Sequence, residues 1–159
     1  MQASATSWKH EPFKDGALLA YRAVFDSRQF ARLKDGLIPE QMEDKWFIYY
    51  EESHLFFHRS WTGQPVYRVT LKNVPNGDEV REALWSKDPD DASGFGPDYH
   101  VQLLDFLVSN LLLGQAKSFP VPGDLTEPMR AVFQHHISGT GYSESRTETK
   151  KQKPWWRIL

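Results

Sequence analysis

The sequence predicts an α+β domain: a curved antiparallel meander of four or five strands, packed on one long apolar helix with two shorter helices at its edges. Three observations predict it. Three aromatic and β-branched runs lie between Trp46 and Leu71, parted by short polar or glycine-containing breaks. A stretch beginning at Tyr99 carries Val101, Leu103, Leu104, Phe106, Leu107, Val108, Leu111, Leu112 and Leu113, too broad an apolar stripe for a surface helix. Asp26 stands three residues before Gln29, the spacing of a capping box at a helix start.

The elements follow in chain order. Residues 17–24 are apolar and end in a β-leaning stretch, which predicts a strand. Asp26 then caps a short helix over 27–35. Phe25 and Phe30 flank that cap where a hydrophobic staple would form, and Gly36 is a natural stop. The runs at 46–50, 54–61 and 66–71 are broken at 51–53 and 62–65, as in an antiparallel meander. Pro75-Asn76-Gly77 is a turn signal. Beyond it Arg81, Ala83 and Trp85 alternate with Val80, Glu82 and Leu84, giving a fourth strand, with a short helix as the alternative. Residues 88–98 form a loop rich in Asp, Pro and Gly. Pro97 suits the first turn of the central buried helix, and Gly114 ends it. Thr126 caps a last helix, in which Met129, Val132, Phe133 and His136 keep helical spacing.

A chain of 159 residues suits one domain, placed at 15–142. Residues 1–14 are polar and proline-interrupted and are expected to be loosely ordered. Residues 143–159 read as a flexible tail ending in a basic, tryptophan-containing patch. The chain has no cysteine, which excludes disulfides, thiol nucleophiles, thiolate zinc sites and iron–sulfur clusters. The net charge of −2 argues against general nucleic-acid binding. With no apolar leader at residues 1–10 and no apolar run long enough for a bilayer, the expected location is the cytoplasm, with no membrane span.

No catalytic or metal motif names a reaction. His54 and His58 are four apart on a predicted strand and share a face, yet two ligands fall short of a zinc site, so no metal or cofactor is expected. His58, Arg59 and Trp61, with Tyr67, place a cation beside aromatic rings and could grip a small planar anion. The competing reading is a packed tryptophan with Arg59 stacked on it. No glycine-rich phosphate loop accompanies them. Ser60 and His58 form no triad, since no nucleophile elbow surrounds the serine. Glu43, Asp44, Glu51 and Glu52 fall at strand ends, where charged turn residues are ordinary, and His135 and His136 favour a helix C-terminus. In the tail, Trp155, Trp156 and Arg157 suit docking on a protein partner or folding back on the sheet. An uncovered aromatic sheet face would favour self-association, so a homodimer stays open.

The block Met42-Glu43-Asp44-Lys45-Trp46-Phe47-Ile48-Tyr49, with His58-Arg59-Ser60-Trp61-Thr62-Gly63 and Tyr67, resembles a signature of small uncharacterised bacterial proteins. Similar blocks occur near, or joined to, ADP-ribosylglycohydrolase-type domains. The resemblance spans about residues 26–114 and implies a bacterial accessory domain. It transfers no catalytic residue, and the acidic metal-binding motifs of the glycohydrolases do not occur in the chain. The expected function is a non-enzymatic accessory or immunity-type protein that binds another protein. The alternative is a small-molecule domain or enzyme acting on a nucleotide or ADP-ribose-like anion.

Overall fold

Aromatic and β-branched residues at 46–86 alternate between two faces and pair into one antiparallel sheet, seen in a computed structural model that describes residues 2–86 and 96–117. The helix predicted near 126–136, with His135 and His136, lies outside the described residues, as does the tail with Trp155, Trp156 and Arg157. The strands are β1 (Gly16–Leu18), β2 (Val24–Phe25), β3 (Trp46–Glu51), β4 (His54–Arg59), β5 (Pro65–Val74) and β6 (Gly77–Ser86). Their order is β1-β6-β5-β4-β3, and β2 also pairs with β6.

The sheet therefore has six strands rather than four or five. The single strand predicted over 17–24 is split in two along one edge. Leu18 opposes Leu84 and Val24 opposes Glu79, so five intervening residues face four on β6. The extra residue bulges out. Leu19 N–H still donates to Ala83 O at 2.8 Å, and Val80 N–H to Ala23 O at 3.0 Å, which keeps both halves on the same neighbour.

Tight turns hold the register. Glu52 and Ser53 both take positive φ between β3 and β4, as a two-residue hairpin loop requires. Pro75 and Asn76 link β5 to β6, and Gly77 follows at φ 140°. A Cβ on Gly77 would stand 2.3 Å from the Phe25 carbonyl oxygen, so only glycine lets β2 close against this turn.

The first helix, α1 (Ser27–Asp35), has its capping box closed. Gln29 N–H donates to the Asp26 carboxylate at 2.8 Å, and Asp26 N–H donates to the Gln29 side chain at 3.0 Å. Gly36 ends it at φ 65°. The one long apolar helix predicted over 97–113 is corrected. It is α2 (Pro97–Phe106), ten residues, continued by a π-helical stretch at Leu107–Leu112. There Leu113 N–H donates to Val108 O, five residues back, at 3.0 Å. All six residues of that stretch are buried, including Ser109 and Asn110. The returning chain satisfies these polar groups. Lys117 N–H donates to Asn110 Oδ1 at 3.1 Å, Asn110 Nδ2 donates to Lys117 O at 3.0 Å, and Gln115 N–H donates to Ser109 O at 2.8 Å.

The sheet has two buried faces. On one, Trp46, Ile48, Leu55, Phe57, Tyr67 and Val69 pack with the helices in the main core. On the other, Phe47, Tyr49 and Phe56 pack with Ala3, Ala5 and Trp8. Residues 2–13, expected to be loosely ordered, are thus a strap across the second face. Ala3 N–H donates to Asp35 O at 2.8 Å, the Trp8 indole N–H to Ser60 O at 2.9 Å, and Glu11 N–H to Gly63 O at 2.8 Å. The reason is aromatic content on both faces of β3 and β4, which calls for two covering layers. Among the described residues no helix is long and apolar enough to cross a membrane.

Candidate functional site: the corner where β3 begins and β4 ends

Trp46 opposes Arg59 in the β3–β4 ladder, so the loop entering β3 and the turn leaving β4 emerge side by side. They are tied together. Ser60 N–H donates to Lys45 O at 2.9 Å, and the Ser60 hydroxyl donates to the Asp44 carbonyl. Asp44 is wholly buried, and its carboxylate accepts from Glu40 N–H at 2.6 Å and Gln41 N–H at 3.0 Å. Burial pushes this carboxyl above its ordinary value, against those two hydrogen bonds. Gly63, at φ 74°, donates to Arg59 O at 2.8 Å and closes the turn.

Trp61 projects from this corner. It is 63% exposed and Met42 is 73% exposed. The Trp61 indole is nevertheless held at both ends: its N–H donates to Met42 O at 2.7 Å, and Lys45 Nζ lies 3.7 Å from the ring centroid.

Arg59 turns to the helix side. Its guanidinium carbon stands 4.7 Å over the Trp46 ring, and Trp46 stacks on Tyr67 at 6.3 Å and 12°. The Tyr67 hydroxyl meets His100 Nδ1, and His100 stacks on Trp85 at 4.1 Å. Burial lowers the Arg59 pKa to about 10, with Tyr67 and Tyr99 acting in the other direction. The guanidinium remains charged at neutral pH.

His58 turns the other way, under the strap. It is wholly buried and donates from Nε2 to Glu11 O at 2.9 Å. The His10 ring meets it edge to face at 4.6 Å. Burial, and then the neighbouring His10, lower the His58 pKa to about 4. His54 lies on the same face but does not converge with it. Its Nδ1 pairs with Thr70 Oγ1 at 2.9 Å, and the Phe56 ring stands between, 5.8 Å from His54 and 6.4 Å from His58.

The four residues read from sequence as a ligand site thus part company. Arg59 and Tyr67 share the helix side, His58 faces the strap, and Trp61 stands on the outer corner. Adjacent strand residues alternate faces, and that separates His58 from Arg59. Ser60 donates to a backbone carbonyl rather than to an imidazole, so the pair with His58 is no nucleophile and base. Among the described residues no group of three or more His, Asp or Glu is placed to hold a metal ion. Sequence reading passed over Met42 and Lys45 as supports of Trp61, although both lie in the signature block. It also passed over His10, 48 positions before His58, for which the sequence carries no local signal. No protein-family model, curated protein or solved structure matches the chain.

Proposed function

We propose that the protein is a non-enzymatic accessory or immunity-type factor that binds another protein, with the Trp61 corner as its contact surface. One observation carries this reading: Trp61 is exposed yet fixed, by a 2.7 Å hydrogen bond to Met42 and a cation 3.7 Å from its ring. Asp44, Trp46, His58 and Ser60 are buried and, with the half-buried Arg59, hold the corner, so the signature reads as a device for presenting one indole. Tryptophan is enriched among residues that dominate binding energy, and an already immobilised side chain loses little entropy on docking.

The test is affinity capture with the full chain from the cells that encode it, comparing wild type, Trp61→Ala and a Trp155→Ala/Trp156→Ala double variant. The expected result is a saturable protein partner whose affinity falls at least tenfold in Trp61→Ala, while the variant keeps its melting temperature. Equal affinity in Trp61→Ala would remove the corner, and loss confined to the double variant would move the contact to the tail.

A second reading rests on Arg59 and Tyr67, a guanidinium 4.7 Å over the Trp46 ring and a phenol stacked with that ring at 6.3 Å. It makes the protein a domain for a nucleotide or ADP-ribose-like anion. Its test is a melting-temperature rise with ADP-ribose or NAD that disappears in Arg59→Lys, which keeps the charge but loses the planar fork.

A further inference from the structure

The Trp61 indole is gripped on one side. Lys45 Nζ takes one face of the ring at 3.7 Å, and the N–H edge is closed by Met42 O at 2.7 Å. Among the described residues no other ring or cation lies against it, so its second face is open. The exposed Met42, whose carbonyl accepts the indole proton, adds apolar surface at the same corner.

The cation behind this ring is not neutralised. Lys45 is half-buried, and among the described residues no carboxylate comes within ion-pair distance of its ammonium. Asp44, its neighbour in the chain, turns its carboxylate into its own loop, where it accepts from Glu40 N–H and Gln41 N–H. Burial first, and then the Arg59 guanidinium, push the Lys45 pKa below its ordinary value, and Glu43 offsets them only in part. Lys45 thus stands beside a second cation and carries its charge without a carboxylate of its own.

Resting on the reading of this corner as a protein contact, we propose that the partner presents an acidic segment: an Asp or Glu carboxylate that pairs with the Lys45 ammonium, next to an apolar side chain that lies on the open face of Trp61. A carboxylate there restores the balance that burial and Arg59 upset. The pairing selects the partner and its approach, while the indole supplies the apolar anchor. A nucleic-acid strand offers the same two groups, a base for the ring and a phosphate for the cation. Glu40 and Glu43, exposed on the same loop, and the net charge of −2 oppose a run of phosphates, which favours one carboxylate at Lys45.

The test is selection of a displayed random-peptide library on the full chain. Enriched sequences are made as free peptides with both ends blocked, and titrated against wild type, Trp61→Ala, Lys45→Glu and Lys45→Arg, each checked by its melting curve. The expected sequences share an Asp or Glu beside an aromatic or aliphatic residue. Their affinity should weaken with added salt, fall at least tenfold in Trp61→Ala and in Lys45→Glu, and survive in Lys45→Arg, whose guanidinium also stacks on an indole. Exchanging the peptide's acid for Lys should abolish binding to wild type and restore it to Lys45→Glu, a rescue that a merely structural role for Lys45 does not produce. Enriched peptides without an acid, or binding that needs Trp61 but is indifferent to Lys45→Glu, would overturn this inference and leave the corner as the contact. Peptide binding indifferent to Trp61 would overturn both. A complex with oligo(dT) that needs Trp61 and Lys45 would overturn it in favour of a single strand.

Discussion

The Tyr67 hydroxyl and the His100 imidazole share a 2.7 Å hydrogen bond that joins β5 to α2 across the main core. Both residues are buried, so Tyr67→Phe removes this partner from a polar group that water cannot readily reach. The expected loss is about 1–3 kcal/mol. Urea unfolding would register it as a lower midpoint with an unchanged slope.

His58 sets a pH dependence. Its folded pKa, about 4, lies below the ordinary 6.5, so between these values the unfolded chain binds the proton and the folded chain does not. Stability from this group is complete above pH 6.5 and is lost as the pH falls towards 4, by up to a few kcal/mol. Asp44, whose carboxyl is raised by burial, acts in the opposite sense and favours the fold as it protonates. Unfolding free energies measured from pH 7.5 to 4.5 should fall in wild type and flatten in His58→Gln.

Asp26 carries one side of the α1 capping box. Asp26→Ala should cost about 1 kcal/mol, and Asp26→Asn much less, because an amide oxygen can still accept from Gln29 N–H. Thermal melts of the two variants against wild type would separate them.

Gly77→Ala would place a methyl carbon against the Phe25 carbonyl at a backbone conformation that L side chains avoid. The expected loss exceeds about 1 kcal/mol. Hydrogen exchange should rise first at Val80 N–H, whose bond to Ala23 holds β2's approach to β6.

Trp61→Ala should behave in the opposite way. The indole is mostly exposed, and its contact with Lys45 is worth under about 1 kcal/mol to the fold. A melting temperature near that of wild type together with lost partner affinity separates binding from folding.

Local chemistry was legible in the sequence, and long-range chemistry was not. The capping box at Asp26 and Gln29, the stop at Gly36 and the turn at Pro75-Asn76-Gly77 each depend on residues within a few positions of one another, and each forms where the sequence places it. The bulge that splits β1 from β2 depends on what β6 offers opposite, which no local pattern encodes. The π-helical turn follows from six consecutive buried residues and from a returning chain that satisfies Asn110. The same holds for the site. Alternation along β4 already parted His58 from Arg59, whereas the meeting of His58 with His10 required knowing that the strap crosses the second face.

The strap also dictates an order of events during synthesis. Trp8 is made 52 residues before Ser60, whose carbonyl receives its indole N–H, and Glu11 47 residues before His58, whose imidazole it fixes. These residues leave the ribosome with nothing to grip, and they can lock only after β4 and its turn have followed. Once β3 and β4 pair, Phe47, Tyr49 and Phe56 form a sheet face that stays uncovered until the strap docks. Contacts of such long sequence separation form slowly. The strap is therefore an early-made part whose sheet partners come later, and the second face is fully covered only when Trp8 reaches Ser60.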